Sequence, residues 1–217
     1  IIITGKGADI SMKITKILRN LLILMMVVAI CSGGVVVGKG YAVYLAAIQE
    51  TSLSDMVASI QSKETYTEYE ELPEVYVQAV VSVEDKRFYR HMGVDVIAIG
   101  RAVLRDIQAG AFVEGGSTIT QQLAKNMYFG QEKELIRKVA EVFVALDLER
   151  SYSKEDIFEL YVNTIYFGDG YYDVGSASNG YFGKIPEEMT DYESTLLAGI
   201  PNAPSRYAPT KNPDLAA

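Results

Sequence analysis

Three short stretches concentrate side chains able to do chemistry. The first, VEDKRFYRHMGVD over 83–95, places Glu84, Phe88 and His91 at i, i+4 and i+7, one face of a helix if the helix runs through. A carboxylate beside an aromatic ring on a partly buried face has its pKa raised towards neutrality and can serve as a general base. The same spacing also suits a surface helix in which Glu84 and Asp85 pair with Lys86 and Arg87. His91 is the chain's one histidine. The second stretch, EGGSTITQQLAKN over 114–126, leads through two glycines into Thr118, which with Gln121 fits a capping box. The helix start behind it offers free N–H groups suited to a phosphate. Gln121 and Lys125, and Gln122 and Asn126, stand one turn apart; the alternative is an ordinary capped surface helix. No P-loop is present, because the GK[ST] step is missing. In the third, KELIRKVAEVFVALDLER over 133–150, Glu141 follows Arg137 by one turn and Lys138 by three residues. It is either an intrahelical ion pair of about 0.3–0.5 kcal/mol or a second carboxylate among cations, able to hold a metal or organise a diphosphate.

These residues need helices to position them, and helical periodicity dominates. Ile97, Ile99, Val103, Leu104 and Ile107 fit one helix; Ile136, Val139, Ala140, Phe143 and Leu146 fit another. Ser153 before KEDIFELYVN reads as an N-cap with acids in the first turn. Strand alternation is scarce, repeats are absent, and the expected class is mainly α. The end, PNAPSRYAPTKNPDLAA, holds four of the six prolines and no closing helix, the pattern of a truncated C-terminus. Ser151-Tyr-Ser-Lys154 fits the S-x-x-K motif of acyl-enzyme transpeptidases, but no S-D-N or K-T-G partner follows and the match is read as chance.

Ahead of the body, Leu21 to Val37 is uncharged and Lys6, Lys13, Lys16 and Arg19 precede it. An apolar helix of ~20 residues spans a bilayer and leaves its basic flank in the cytoplasm. The reading is a cytoplasmic N-terminus over 1–20, a transmembrane anchor over 21–45 reaching past a snorkelling Lys39, and an extracytoplasmic remainder. A cleaved signal peptide lacks its small-residue site, and a lipoprotein site at Cys31 has bulky Ile30 before it. Met12 followed by KITKILRN reads as a natural start, the first eleven residues showing no structural pattern. Residues 46–70 are polar and acidic and read as a stalk or entry segment.

The single cysteine excludes an intrachain disulfide and a thiol metal site. Setting aside the five basic residues and one acid of the first forty leaves the body about twelve charges negative, the wrong sign for a nucleic-acid binder.

In order along the chain, EDKRFYRHMG, GGSTITQQLAKN, RKVAE over 137–141, LYVNTIYFGDG with YFGK over 160–184, and LAGIPNAPSRYAP over 197–209 resemble the five motifs of the family 51 glycosyltransferases. That family polymerises peptidoglycan, alone or fused to penicillin-binding transpeptidases. The resemblance implies a glycosyltransferase domain over 71–217, with a lysozyme-like helical lobe and a smaller membrane-associated jaw, placed at VIAIGRAVLRDIQAGAFV. It implies that Glu84 is the general base on the 4-hydroxyl of the acceptor and that Glu141 helps organise the diphosphate through a divalent cation, Mg2+ or Mn2+, with no organic cofactor. Ser117, Gln121, Lys125, Lys133, Arg137 and Lys138 then surround the phosphates, with Thr118, Gln122 and Asn126 completing the binding set. Asp85, Phe88, His91 and Gly93 support the site, and Asn126 shares that task with Asp85. The implied partners are lipid II, the lipid-linked growing glycan, membrane lipids and cell-wall synthesis proteins; the implied place is the cell membrane, single-pass. Tyr172-Asp173-Val174 departs from the family's Tyr-Gly-Ile and puts that loop's role in doubt. The rival readings are a lytic transglycosylase or lysozyme-like hydrolase, and an inactive cell-wall scaffold, which is expected to lose Glu84, Lys125 or Glu141.

Overall fold

The computed structural model describes residues 4–111, 115–130 and 135–211, with side chains from residue 16 onward. Among the described residues the α-helices are α1 Thr4–Glu50, α2 Leu53–Gln61, α3 Glu74–Glu84, α4 Val96–Ala109, α5 Ile119–Tyr128, α6 Leu135–Ser151, α7 Lys154–Val162, α8 Val174–Phe182, α9 Asp191–Gly199 and α10 Pro204–Tyr207. The one strand-like pairing described is a bridge between Gly168 and Tyr171, so the mainly α expectation holds.

α1 outruns the expected anchor at both ends. Its segment Lys16–Glu50 is long and apolar enough to cross a membrane, and none of its most apolar eighteen residues is buried. A lipid environment favours an unbroken helix through Gly33, Gly34 and Gly38 because every backbone polar group must find its partner within the segment. Beyond them α1 docks on α6. Tyr41 meets the Phe143 ring edge-on at 5.1 Å, and the Tyr44 hydroxyl donates to Asp147. Gly40 is buried against Val139, whose Cβ lies 2.5 Å from where a Cβ on Gly40 would stand. The apolar helix and the helix carrying Arg137, Lys138 and Glu141 are thus one packed unit.

The segment read as a stalk is folded onto the body. Ser52 caps α2, accepting from the Asp55 amide at 3.2 Å, and Val57 and Ile60 enter the core. Residues 63–71 are then clamped to α7. The Asn163 side chain accepts from the Thr67 amide at 3.0 Å and donates to the Thr67 carbonyl at 2.8 Å, while Glu159 accepts from the Tyr69 amide at 2.7 Å and from the Tyr66 hydroxyl. The fourth motif of the sequence therefore does structural work here. The departing residue Asp173 does too, capping α8 through the Ser176 amide at 2.6 Å.

Tyr76, Phe88, Leu123, Leu148, Phe158, Tyr161 and Leu197, drawn from α3, α5, α6, α7, α9 and the 85–91 turn, form the buried core. α4 stands apart, with Ala102 its one buried residue. Asp95 caps it by accepting from the Ile97 and Ala98 amides at 2.9 and 3.0 Å, and Gly110, at φ 64°, ends it in the left-handed conformation that favours glycine. Val96, Ile97, Val103, Leu104 and Ile107 lie exposed along it, the outward apolar surface expected of the jaw.

Gly40→Leu is expected to overpack the α1–α6 contact at a cost of about 1–3 kcal/mol, read as a fall of several degrees in the thermal midpoint in detergent.

Candidate active site

α3 stops at Glu84 because Asp85 leaves helical geometry, at φ −155° and ψ 79°. The expectation that Glu84, Phe88 and His91 share one helix face therefore gives way to a tighter arrangement. The Phe88 amide turns back to the Asp85 carbonyl at 2.9 Å, the Phe88 ring enters the core, and His91 folds over Asp85. One carboxylate oxygen of Asp85 accepts from His91 Nε2 at 2.8 Å and from the Ile119 amide at 3.1 Å; the other accepts from the Arg87 amide at 3.3 Å. A carboxylate only accepts, so Nε2 carries the ring proton. Gly93, at φ 83°, lies against the Ala145 carbonyl, and its own carbonyl accepts from the Thr118 hydroxyl at 2.7 Å. Lys154, in the S-x-x-K stretch, sits 4.4 Å from the Phe88 ring centroid and 2.7 Å from Glu149, a supporting contact and not a nucleophile site.

This framework sets α5 beside the end of α3. Gln122 Nε2 donates to Glu84 Oε2 at 2.9 Å, while Glu84 Oε1 is buried without a hydrogen-bond partner. Burial raises the Glu84 pKa above the ordinary carboxylate value and the Asp85 charge adds to that; Gln122 and Lys125 pull the other way. Lys125, one turn beyond Gln122, is pushed down by burial and by Arg137, with Glu84 opposing.

The second half comes from α6. Glu141 is fully buried, with Arg137 on one oxygen and Lys138 Nζ 2.8 Å from the other. Lys138 also donates to Ser117 Oγ at 2.7 Å. Burial, Arg137 and Lys125 bring its pKa down to about 8. This is no surface pair: Glu141 is the internal counter-ion of a cation cluster.

Glu84, Asp85, Ser117, Thr118, Gln122 and Lys125 line one cleft of about 600 Å³. Lys138 reaches it through Ser117; Arg137, Lys138 and Glu141 are not in its wall. Gln121, expected at the phosphates, is buried and closes the capping box, its Oε1 accepting from the Thr118 amide at 3.1 Å. The helix start expected to receive a phosphate is occupied by the protein's own anion, Asp85. Asn126 is half-buried on α5 outside the cleft wall, and Lys133 lies outside the described residues. The residues at Glu141 do not fit a protein-held divalent cation, since both carboxylate oxygens face cations. No cluster of three or more metal-binding side chains gathers among the described residues either. The wall also holds Lys86, Arg87, Arg101, Arg105, Pro201 and Asn202, which the sequence alone does not single out as site residues. Arg101 and Arg105 carried a signal, two arginines one turn apart in an otherwise apolar helix. A carboxylate with one unpartnered oxygen, in the lining of a basic cleft backed by compensated cations, suits displacement of an anionic leaving group by a hydroxyl.

A family model described as Transglycosylase matches residues 50–217, a span that includes most of the segment read as a stalk. Over 144 residues the chain is 51% identical to penicillin-binding protein 1F of Bacillus subtilis, covering 66% of this chain and 20% of that protein. It is 44% identical over 154 residues to penicillin-binding protein 1A of Aquifex aeolicus, covering 71% and 21%, and 46% identical over 156 residues to penicillin-binding protein 1A of Neisseria gonorrhoeae, covering 72% and 20%. The chain spans about a fifth of the length of these relatives.

Lys138 is charged below about pH 8 and neutral above it. Calorimetry with inorganic diphosphate is expected to give the wild type about a tenfold advantage over Lys138→Met near pH 7, shrinking as pH rises through that value. A bound anion shifts the loss upward by favouring the charged form.

Proposed function

This chain belongs to the transglycosylase family, and from that premise we propose that it is a peptidoglycan glycosyltransferase that polymerises lipid II into β-1,4-linked glycan, releasing undecaprenyl diphosphate. The observation that carries the reading is the state of Glu84: half-buried in the lining of the cleft, held on one oxygen by Gln122 and without a hydrogen-bond partner on the other. Glu84 takes the proton of the acceptor's 4-hydroxyl as that oxygen attacks C1 of the lipid-linked chain. The C1–O bond to the diphosphate breaks and its electron pair leaves with the phosphate. Ser117 and Lys125 in the cleft, with Lys138 behind Ser117, compensate the departing charge, and in a water-poor site that compensation is worth more than in solution. Glu141 is tied to two cations and supplies no nucleophile, so the displacement is single and the anomeric centre inverts.

The exposed apolar side of α4 and the apolar length of α1 support contact with membrane lipids, where the substrate's long chain resides. We place the N-terminus in the cytoplasm and the cleft outside, with cell-wall synthesis proteins as neighbours. The basic flank of α1 supports that orientation.

The test is incubation of the detergent-solubilised chain with purified lipid II, beside Glu84→Gln. Muramidase-sensitive polymer from the wild type and at least a hundredfold less from the variant is expected. The base must be deprotonated, so the wild-type rate is expected to fall, as pH drops, through a pKa above the ordinary glutamate value. Shortening of preformed glycan points to the lytic reading, and undiminished Glu84→Gln removes Glu84 as the base.

A further inference from the structure

Tyr161 is fully buried on α7, where a phenylalanine ring fills the same space without the cost of placing a hydroxyl in the core. What the hydroxyl adds is a bond across to α5: it donates to Gln122 Oε1 at 3.4 Å. The nitrogen of the same amide is in use on the other side, Gln122 Nε2 donating to Glu84 Oε2 at 2.9 Å. A buried phenol, a half-buried amide and a carboxylate are thus bonded in series from the core to the cleft. α5 packs along α7, which holds the first two members in register. Tyr161 is outside the cleft wall, so substrate contact does not explain its phenol.

The chemistry of the three groups gives the series a direction. An ionised carboxylate only accepts, so Gln122 must turn its nitrogen to Glu84 and its oxygen away. The terminal torsion of a glutamine is soft and roughly two-fold, so the residue alone does not hold that choice. A hydroxyl donating to Oε1 holds it, and Tyr161 is the one side chain bonded to that oxygen among the described residues. Burial, then the charge of Glu84, keeps the phenol well above its ordinary range, so its proton stays in place. The other groups acting on Glu84 do so through charge alone: Asp85 raises its pKa and Lys125 lowers it. Arg101 and Arg105 of α4 stand in the cleft wall. On α9, packed along α3, Glu193 is bonded to Lys184 and Asp191 is exposed.

We propose that Tyr161 is a positioning residue for Glu84, its hydroxyl fixing the Gln122 amide so that Nε2 faces the carboxylate. Without the hydroxyl, Oε1 is free to turn towards Glu84, which then meets an acceptor in place of a donor. The carboxyl ionises less readily, and a larger share of it is protonated at the pH where wild type works. The inference rests on the reading of Glu84 as the base.

The experiment is a double-mutant cycle on the full chain in detergent: wild type, Tyr161→Phe, Gln122→Ala and the pair combined. Difference infrared spectroscopy follows the Glu84 carboxyl, assigned by its loss in Glu84→Gln, alongside kcat and KM for polymerisation. Tyr161→Phe is expected to move the carboxyl titration upward by about half a unit or more and to lower kcat several-fold, with KM within about twofold of wild type. In the Gln122→Ala background the same substitution is expected to move none of these further. A carboxyl titration that stays put in folded Tyr161→Phe overturns the proposal, and so does an equal shift in both backgrounds. If Tyr161→Phe does not fold, 3-fluorotyrosine at position 161, a better donor, replaces it. A downward titration shift that needs Gln122 then supports the proposal, and no shift overturns it. A wild type that makes no polymer while the titrations follow the cycle rejects the reading of the reaction and leaves the Tyr161 contact standing.

Discussion

The buried carboxylate of Asp85 is the constraint on which the site depends. It joins segments 34 residues apart by accepting from the Ile119 amide, and it holds His91 over the intervening turn. A helix start carries unsatisfied N–H groups and partial positive charge, and both are matched here by an anion built into the chain. The capping box of Thr118 and Gln121 completes that start, and the bond from Thr118 to the Gly93 carbonyl ties it to the loop leading into α4. Arg87 then links that turn to Asp95, the cap of α4, at 2.9 Å. Glu84, α5 and α4 are thus registered by a short chain of polar contacts, most of them buried. In a medium of low dielectric such contacts hold geometry firmly, because breaking one leaves a costly unpaired group.

The two glutamates are separated by environment. Glu84 has an amide on one oxygen and nothing on the other, and burial leaves it reluctant to ionise, which suits a group that must take up a proton and give it away. Glu141 is deeper and is engaged by Arg137 and Lys138, which fixes it as a counter-ion. Its presence lets cations sit close together beside Ser117 and Lys125, where burial and then their mutual repulsion lower the Lys138 pKa. An anion brought to Lys138 relieves that repulsion, over and above the compensation Glu141 already gives. Docking of α1 on α6 carries the same organisation to the apolar segment long enough to cross a membrane, since Gly40 meets Val139 two residues before Glu141.

Local patterns were legible in the sequence. The caps at Thr118 and Ser153 are governed by residues three apart, and the outward apolar side of α4 follows from its periodicity. What escaped depends on distant partners. Nothing in VEDKRFYRH announces that the helix ends at Glu84, because the Asp85 conformation is stabilised by an amide on α5. Residues 46–70 looked like a stalk because their polar majority hid Val57 and Ile60, and because their clamps, Glu159 on α7 and Asn163 at its C-cap, are distant in the chain. Gln121 and Gln122 are alike in the sequence, yet one closes a cap and the other holds Glu84; only the packing of α5 on α6 and α7, which brings Gln122 to the end of α3, distinguishes them. The first two motifs meet at one cleft, and the third dimension divides their residues into those that line it and those that hold the lining in place.

The most direct measurement of the central claim is the steady-state rate of lipid II polymerisation by Asp85→Asn, at a temperature where its folded state is verified. If the buried carboxylate aligns Glu84 with α5, kcat falls at least tenfold while KM stays within a few-fold of wild type, since the cations of the cleft are untouched. A folded Asp85→Asn that polymerises at the wild-type rate contradicts the account.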